Sequence, residues 1–171
     1  MLPKCFEEWH PATLRPKSRE EEEVQERFKR HLEQGISQKY LDDLIITKNE
    51  ACNALNILKV SKNTTFYEFY STFIGIDSSE QEDAELIHSL DEIYANYKQP
   101  FWSDKYPNIQ ERYLRISSIE GQGSYFYDKE TDALYDVHWS EMDDLMAGEL
   151  EPLFTSFYDF LEWYYSEEDE D

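Results

Sequence analysis

Carboxylates are the chemically active groups that this sequence offers in greatest number, with 38 Asp and Glu side chains among 171 residues. Paired carboxylates can hydrolyse glycosides, but this chemistry needs two acids at a defined separation whose environments drive their pKa values apart. No spacing in the chain singles out two such acids. The sequence therefore predicts that the acids act through their charge and not as a catalytic dyad.

The strongest hint of a metal site is the alternating acidic run of Asp128, Glu130 and Asp132. These residues resemble the first half of a calcium loop, in which acids alternate in the same way. The glycine that such a loop needs is Ala133 here, and the position of its bidentate glutamate is Trp139. The polar run instead predicts a hairpin turn, so we expect no metal and no cofactor.

Candidate nucleophiles and soft metal ligands give weak signals. Ser124 follows Gly121 and Gly123 but lacks the Gly-x-Ser-x-Gly context of a nucleophile elbow, and the following predicted strand excludes a dinucleotide fingerprint. Cys5 and Cys52 are predicted to be free thiols because no secretion signal precedes them. The four histidines show no metal-ligand spacing. These residues predict no catalytic constellation.

The acidic charge is concentrated towards the end of the chain. The formal net charge is −22 at pH 7. Residues 1–40 hold eight acids and eight bases, residues 41–129 hold fifteen acids and eight bases, and residues 130–171 hold fifteen acids and no Lys or Arg. This distribution disfavours nucleic acid and anionic membranes as partners and favours a basic macromolecule. The alternative is a generic acidic protein with a solvated tail.

Helix-capping signals predict the elements that position these residues. Helices are predicted to begin at Ser18, Thr47, Thr65, Ser89 and Ser156, each followed three residues later by an acid. The helix after Thr65 is predicted to end at Gly75. Residues 1–17 lack a helical or strand period and predict an irregular arm, whereas residues 167–171 predict a disordered acidic end.

From Tyr113 onwards the apolar period changes to two, which predicts three short strands up to Trp139. Gly121 and Gly123 mark the first turn, where we expect positive φ, and residues 128–132 form the second. The prediction is an α+β fold with an antiparallel β-sheet meander flanked by N-terminal helices and a C-terminal helix.

This order divides the chain into an N-terminal arm and helix (1–40), a main domain (41–166) and an acidic tail (167–171). The chain has no run of 18 apolar residues that would predict a membrane span. Its first residues also lack the apolar segment of a signal peptide. We therefore expect a cytoplasmic protein.

Residues 40–166 resemble the SMI1/KNR4-like, or SUKH, superfamily in the order of their elements. The most specific parts of the resemblance are the meander IEGQGSYFYDKETDALYDVHW and the terminal helix SFYDFLEWYY. The resemblance implies an α+β fold without enzymatic activity. Bacterial members of the superfamily act largely as immunity proteins that neutralise toxins, often nucleases, whereas fungal members are regulatory protein-binding hubs in cell-wall signalling.

We therefore expect a non-enzymatic immunity protein that binds a cognate, basic, nuclease-type toxin domain. The alternative is a regulatory or scaffold protein with an endogenous basic partner, because both functions need an acidic binding face. The predicted partner-binding residues are Asp128, Glu130, Asp132, Asp136, Glu141, Asp143, Asp144 and Trp163. Glu149 and Glu151 are expected nearby, and Tyr165 is a second candidate aromatic anchor.

Overall fold

The computed structural model describes residues 2–8, 12–76, 78–99 and 104–166, which form an α+β fold. The helices are α1 Cys5–Glu8, α2 Glu22–Glu33, α3 Gln38–Asp43, α4 Lys48–Ile57, α5 Thr65–Thr72, α6 Leu90–Lys98, α7 Met142–Ala147 and α8 Phe157–Tyr164. The strands are β1 Ala12–Leu14, β2 Phe73–Ile76, β3 Tyr113–Arg115, β4 Gly123–Asp128 and β5 Leu134–His138. Short 3-10 helices span Ile109–Glu111 and Trp139–Glu141. No described helix is long and apolar enough to cross a membrane.

The three-stranded sheet β3-β4-β5 is the predicted antiparallel meander. Side chains alternate between its two faces, and both faces are covered. One face packs in the main core with α5 and α8, through Leu114, Ile116, Tyr125, Tyr127 and Leu134. The other packs against α7, through Tyr113, Phe126 and Val137. The sheet therefore separates an α5–α8 side from an α7 side.

The glycines between β3 and β4 do not have the predicted backbone conformation. The positive-φ glycines among the described residues are Gly35 and Gly148, whereas Gly121 and Gly123 are not among them. A Cβ at Gly123 would clash with the carbonyl oxygen of Val137 on β5. The prediction of positive φ is thus wrong at both glycines, and Gly123 is instead needed where two strands approach closely.

Local capping signals place the starts of three helices correctly. Thr47 accepts a hydrogen bond from the Glu50 N–H, and the Glu50 carboxylate accepts one from the Thr47 N–H. Ser89 and Ser156 accept bonds from backbone N–H groups three residues later. These predictions are confirmed because each cap depends on residues that are close in sequence.

Two other helix starts differ from prediction. Helix α2 begins at Glu22, because Ser18 closes a short turn with the Glu20 N–H while Arg19 points away to the carbonyls at the end of α3. The N-cap of α5 is Thr64, one residue before the predicted Thr65. This helix ends at Thr72, and strand β2 follows where Gly75 was predicted to end the helix. Pairing with β1 extends the chain there.

The described part of the first forty residues contains α1 and β1 and packs into the body of the protein. Phe6 is 6% exposed and lies 5.1 Å from Phe73 between ring centroids. Strand β1 pairs with β2, and the Arg15 guanidinium donates to the carbonyls of Ile45, Ile46 and Tyr70. The prediction that residues 1–17 form an irregular arm is wrong where α1 and β1 form. The acidic end at 167–171 lies outside them.

Candidate binding surface

Asp128, predicted to contact a partner, is completely buried at the β4–β5 turn. Its carboxylate accepts hydrogen bonds from Arg112 Nε at 3.1 Å, Arg112 Nη2 at 2.9 Å, the Thr131 hydroxyl and the Glu130 N–H. Burial alone would raise the pKa of Asp128, but these donors offset it and hold that pKa below its ordinary value. Asp128 organises the hairpin, and its burial removes it from the predicted contact surface.

Asp132 also has a structural role in the hairpin. It has a φ of 66°, and its carboxylate accepts a hydrogen bond of 2.6 Å from the Tyr127 hydroxyl. The Phe157 N–H at the start of α8 also bonds to this carboxylate, although burial keeps the pKa of Asp132 raised. Asp132 thereby ties the hairpin to the N-terminus of α8. Glu130 is exposed and lies 3.4 Å from Arg112 Nη1.

Asp136 and Glu141 form a pair of like charges at the end of β5. Asp136 is exposed, and its pKa is raised by partial desolvation and by the charge of Glu141. Glu141 accepts a hydrogen bond of 3.0 Å from the His138 N–H, which caps the 3-10 helix that follows β5. The repulsion between the two carboxylates is unfavourable, and a cation supplied by a binding partner would reduce it.

The first turn of α7 presents Asp143 and Asp144 to solvent. Asp143 accepts a hydrogen bond of 2.6 Å from the Tyr106 hydroxyl. Two further exposed acids, Glu149 and Glu151, follow the helix. Negative charge is favourable at a helix N-terminus, so Asp143 and Asp144 also contribute to the stability of α7.

We define the acidic face as Asp136, Glu141, Asp143, Asp144, Glu149 and Glu151. Within the described part of the chain, none of these carboxylates forms a salt bridge with Lys or Arg. Lys105 interacts with the Tyr106 hydroxyl that also bonds Asp143, and Arg112 is engaged with Asp128 and Glu130. Met146 (38% exposed) and Leu153 (43% exposed) lie in the same segment and add apolar contact area. The face is therefore acidic and partly apolar, and its carboxylates form no direct salt bridge with a described Lys or Arg.

Neither predicted aromatic anchor lies on the α7 side of the sheet. Tyr165 is 1% exposed and lies in the core, 5.3 Å from Phe6 between ring centroids. Its assignment as an anchor is wrong. Trp163 is half-buried and packs on Phe154 and Phe160, at centroid distances of 5.5 and 6.1 Å. It lies on the α8 side of the sheet, the side that also carries Asp136, whereas Asp143 and Asp144 on α7 lie on the other side.

Sequence reasoning missed two residues that organise this region. Arg112 holds Asp128, and Tyr106 holds Asp143 across 37 positions of sequence. The pairing of Tyr113 with Asp128 places Arg112 beside the hairpin, so the strand register is the signal that could have found it. No local signal marks Tyr106.

The described residues contain no group of three or more His, Cys, Asp or Glu side chains that could hold a metal ion. Comparison of the chain with protein-family models, curated proteins and solved structures finds no match. The resemblance to the SMI1/KNR4-like superfamily therefore stays a prediction.

Proposed function

We propose that this protein is a cytoplasmic, non-enzymatic immunity protein of the SMI1/KNR4-like kind, which binds and neutralises a cognate toxin domain with a basic surface. The observation that carries the proposal is the acidic face, whose six carboxylates form no salt bridge with a described Lys or Arg. Mutual repulsion among these carboxylates destabilises the fold of the isolated protein. A partner that supplies cations converts the same charges into favourable binding contacts.

Occlusion is the mechanism that this surface supports. A nuclease binds nucleic acid through basic side chains, and carboxylates can occupy the positions of the phosphates. The net charge of −22 attracts such a surface from a distance, which accelerates association. Met146 and Leu153 then provide apolar contacts that slow dissociation. This mechanism needs no catalytic group.

A growth-rescue experiment tests the proposal. The protein is co-expressed with the toxin encoded beside its own gene, and growth and co-purification are measured. The test variant neutralises part of the acidic face through Asp143→Asn, Asp144→Asn, Glu149→Gln and Glu151→Gln. The matched control makes the same change in net charge at exposed acids elsewhere, through Glu26→Gln, Glu33→Gln, Asp43→Asn and Glu80→Gln.

We expect the unchanged protein and the control to restore growth and the face variant to lose rescue. Association should slow by about tenfold or more in the face variant at low salt, because charges at the interface govern encounter. Equal rescue by both variants would show that the acidic face is not the contact surface. If the protein binds an endogenous basic protein and never the neighbouring gene product, the regulatory alternative replaces the immunity function.

A further inference from the structure

A polar groove lies between α4 and α5, on the α5–α8 side of the sheet, opposite to the side covered by α7. Its volume is about 460 Å³, within the range of small-molecule sites. Its lining includes Lys48, Cys52, Lys62, Asn63, Tyr67 and Glu68. Typical ligand pockets are mostly apolar, so the polar lining predicts a small, charged ligand.

The charge of the groove is opposite to that of the chain as a whole. Lys48 and Lys62 are both exposed, and neither forms a salt bridge within the described residues. Glu68 is the carboxylate that accompanies them in the lining. Two ammonium groups against one carboxylate make the groove locally positive in a chain with a net charge of −22.

We propose that this groove binds a small anion that carries phosphate groups. Each lysine ammonium supplies three donors and no acceptor, and Asn63 adds an amide at the same groove. Lysine binds phosphate as a compact point charge, so paired lysines suit a ligand with more than one anionic oxygen. The surrounding acids repel anions at long range, so this binding depends on short-range contacts with the two lysines.

The thiol of Cys52 provides a reporter inside the groove. It is half-buried and hydrogen-bonded with the Tyr67 hydroxyl, whose pKa is raised to about 12 by burial and by this thiol. A ligand that fills the groove should shield Cys52 from alkylation. Cys5 is the other cysteine and does not line the groove, so its alkylation rate serves as an internal control.

The experiment alkylates the full-length protein with iodoacetamide at increasing concentrations of pyrophosphate and measures each cysteine by peptide mass spectrometry. Sodium chloride holds the ionic strength constant. We expect pyrophosphate to slow alkylation of Cys52 along a saturable curve while the rate at Cys5 stays constant. The double variant Lys48→Gln/Lys62→Gln should bind pyrophosphate at least about tenfold more weakly, because both charge-assisted contacts are lost.

The variant Lys39→Gln removes an exposed lysine on α3, outside the groove, and should keep full protection. Lys48 and Lys62 are exposed, so their replacement should leave the fold intact, which circular dichroism checks. Three results would each overturn the proposal: no protection of Cys52, equal protection by sodium chloride alone, or protection that persists unchanged in the double variant.

Discussion

At the scale of single residues, Asp128 shows how burial changes the meaning of a charge. The sequence places it in an acidic run, yet its carboxylate is fully buried and receives two hydrogen bonds from Arg112. A buried carboxylate is stable when a cation and further donors satisfy it, and it becomes costly when the cation is removed. The cation that satisfies the buried Asp128 carboxylate is Arg112, which directly precedes strand β3.

Replacement of Arg112 by Met should therefore destabilise the protein strongly. We expect a loss of about 3–5 kcal/mol in the free energy of unfolding, since the change leaves the Asp128 carboxylate buried without its cation. Urea denaturation measures this loss. The matched change Glu130→Gln removes the exposed partner of Arg112 and should cost about 0–1 kcal/mol. If Arg112→Met and Glu130→Gln lose similar amounts of unfolding free energy, the structural role of Asp128 is contradicted.

Lys129 should make stability depend on pH in a defined window. Its Nζ donates to the carbonyls of Leu58 and Gln110 at 2.9 and 2.8 Å, while burial, followed by the charge of Lys59, lowers its pKa to about 8. Between that value and the ordinary 10.5, the unfolded chain binds more protons than the folded one. The contribution of Lys129 to stability therefore rises with pH through this window.

Urea denaturation near the two ends of that window tests this sign. Relative to the variant Lys129→Met, the unchanged protein should gain stability as pH rises, since Met cannot titrate. The control Lys62→Met replaces an exposed lysine, and its free energy of unfolding should change with pH in the same way as that of the unchanged protein. A stability difference between the Lys129 variant and the unchanged protein that stays constant with pH would refute the lowered pKa.

At the scale of elements, the caps distinguish two helix starts that look alike in sequence. Thr47 forms a complete capping box and is 6% exposed, whereas Ser18 does not cap α2. We expect Thr47→Ala to cost about 1 kcal/mol of unfolding free energy and Ser18→Ala to cost much less. Thermal and urea unfolding of the two variants make the comparison. A larger loss of unfolding free energy in Ser18→Ala than in Thr47→Ala would indicate that Ser18 caps the helix, as the sequence predicted.

The N-terminal segment should contribute to stability as a packed element. Phe6 contacts the rings of Phe69, Phe73 and Tyr165 in the main core. Its truncation to Ala should cost about 3–5 kcal/mol, the usual loss for a large buried aromatic residue. A matched truncation at an exposed site, Leu14→Ala, should be close to neutral. If Phe6→Ala is also neutral, the first residues do not pack in solution as they do in the structure.

At the scale of the whole molecule, self-repulsion should make stability depend on salt. The chain carries a net charge of −22, and the acids of its acidic face form no salt bridge with any Lys or Arg that the structure describes. Raising ionic strength from about 0.01 M to about 0.15 M shortens the Debye length from about 30 Å to about 8 Å, which weakens this repulsion. We expect Tm to rise over this range, and to rise less in the acidic-face variant used for growth rescue. A Tm that falls with salt would contradict this.

The sequence by itself determined the features that depend on neighbours along the chain. Capping at Thr47, Ser89 and Ser156, the alternation of the meander and the acidic character of residues 130–171 all follow from short-range patterns. The α+β class followed from the order of these elements, and the structure confirms it.

The tertiary structure alone decided which of these residues are available to a partner. The Arg112–Asp128 pair, the close approach at Gly123 and the pairing of β1 with β2 all join residues that are distant in sequence. Local propensity and charge patterns carry no information on such contacts, because they form only when separate elements meet. For the same reason Asp128 and Asp132 became structural, while the predicted acids that stay exposed lie in the hairpin at Glu130, on β5 and on α7.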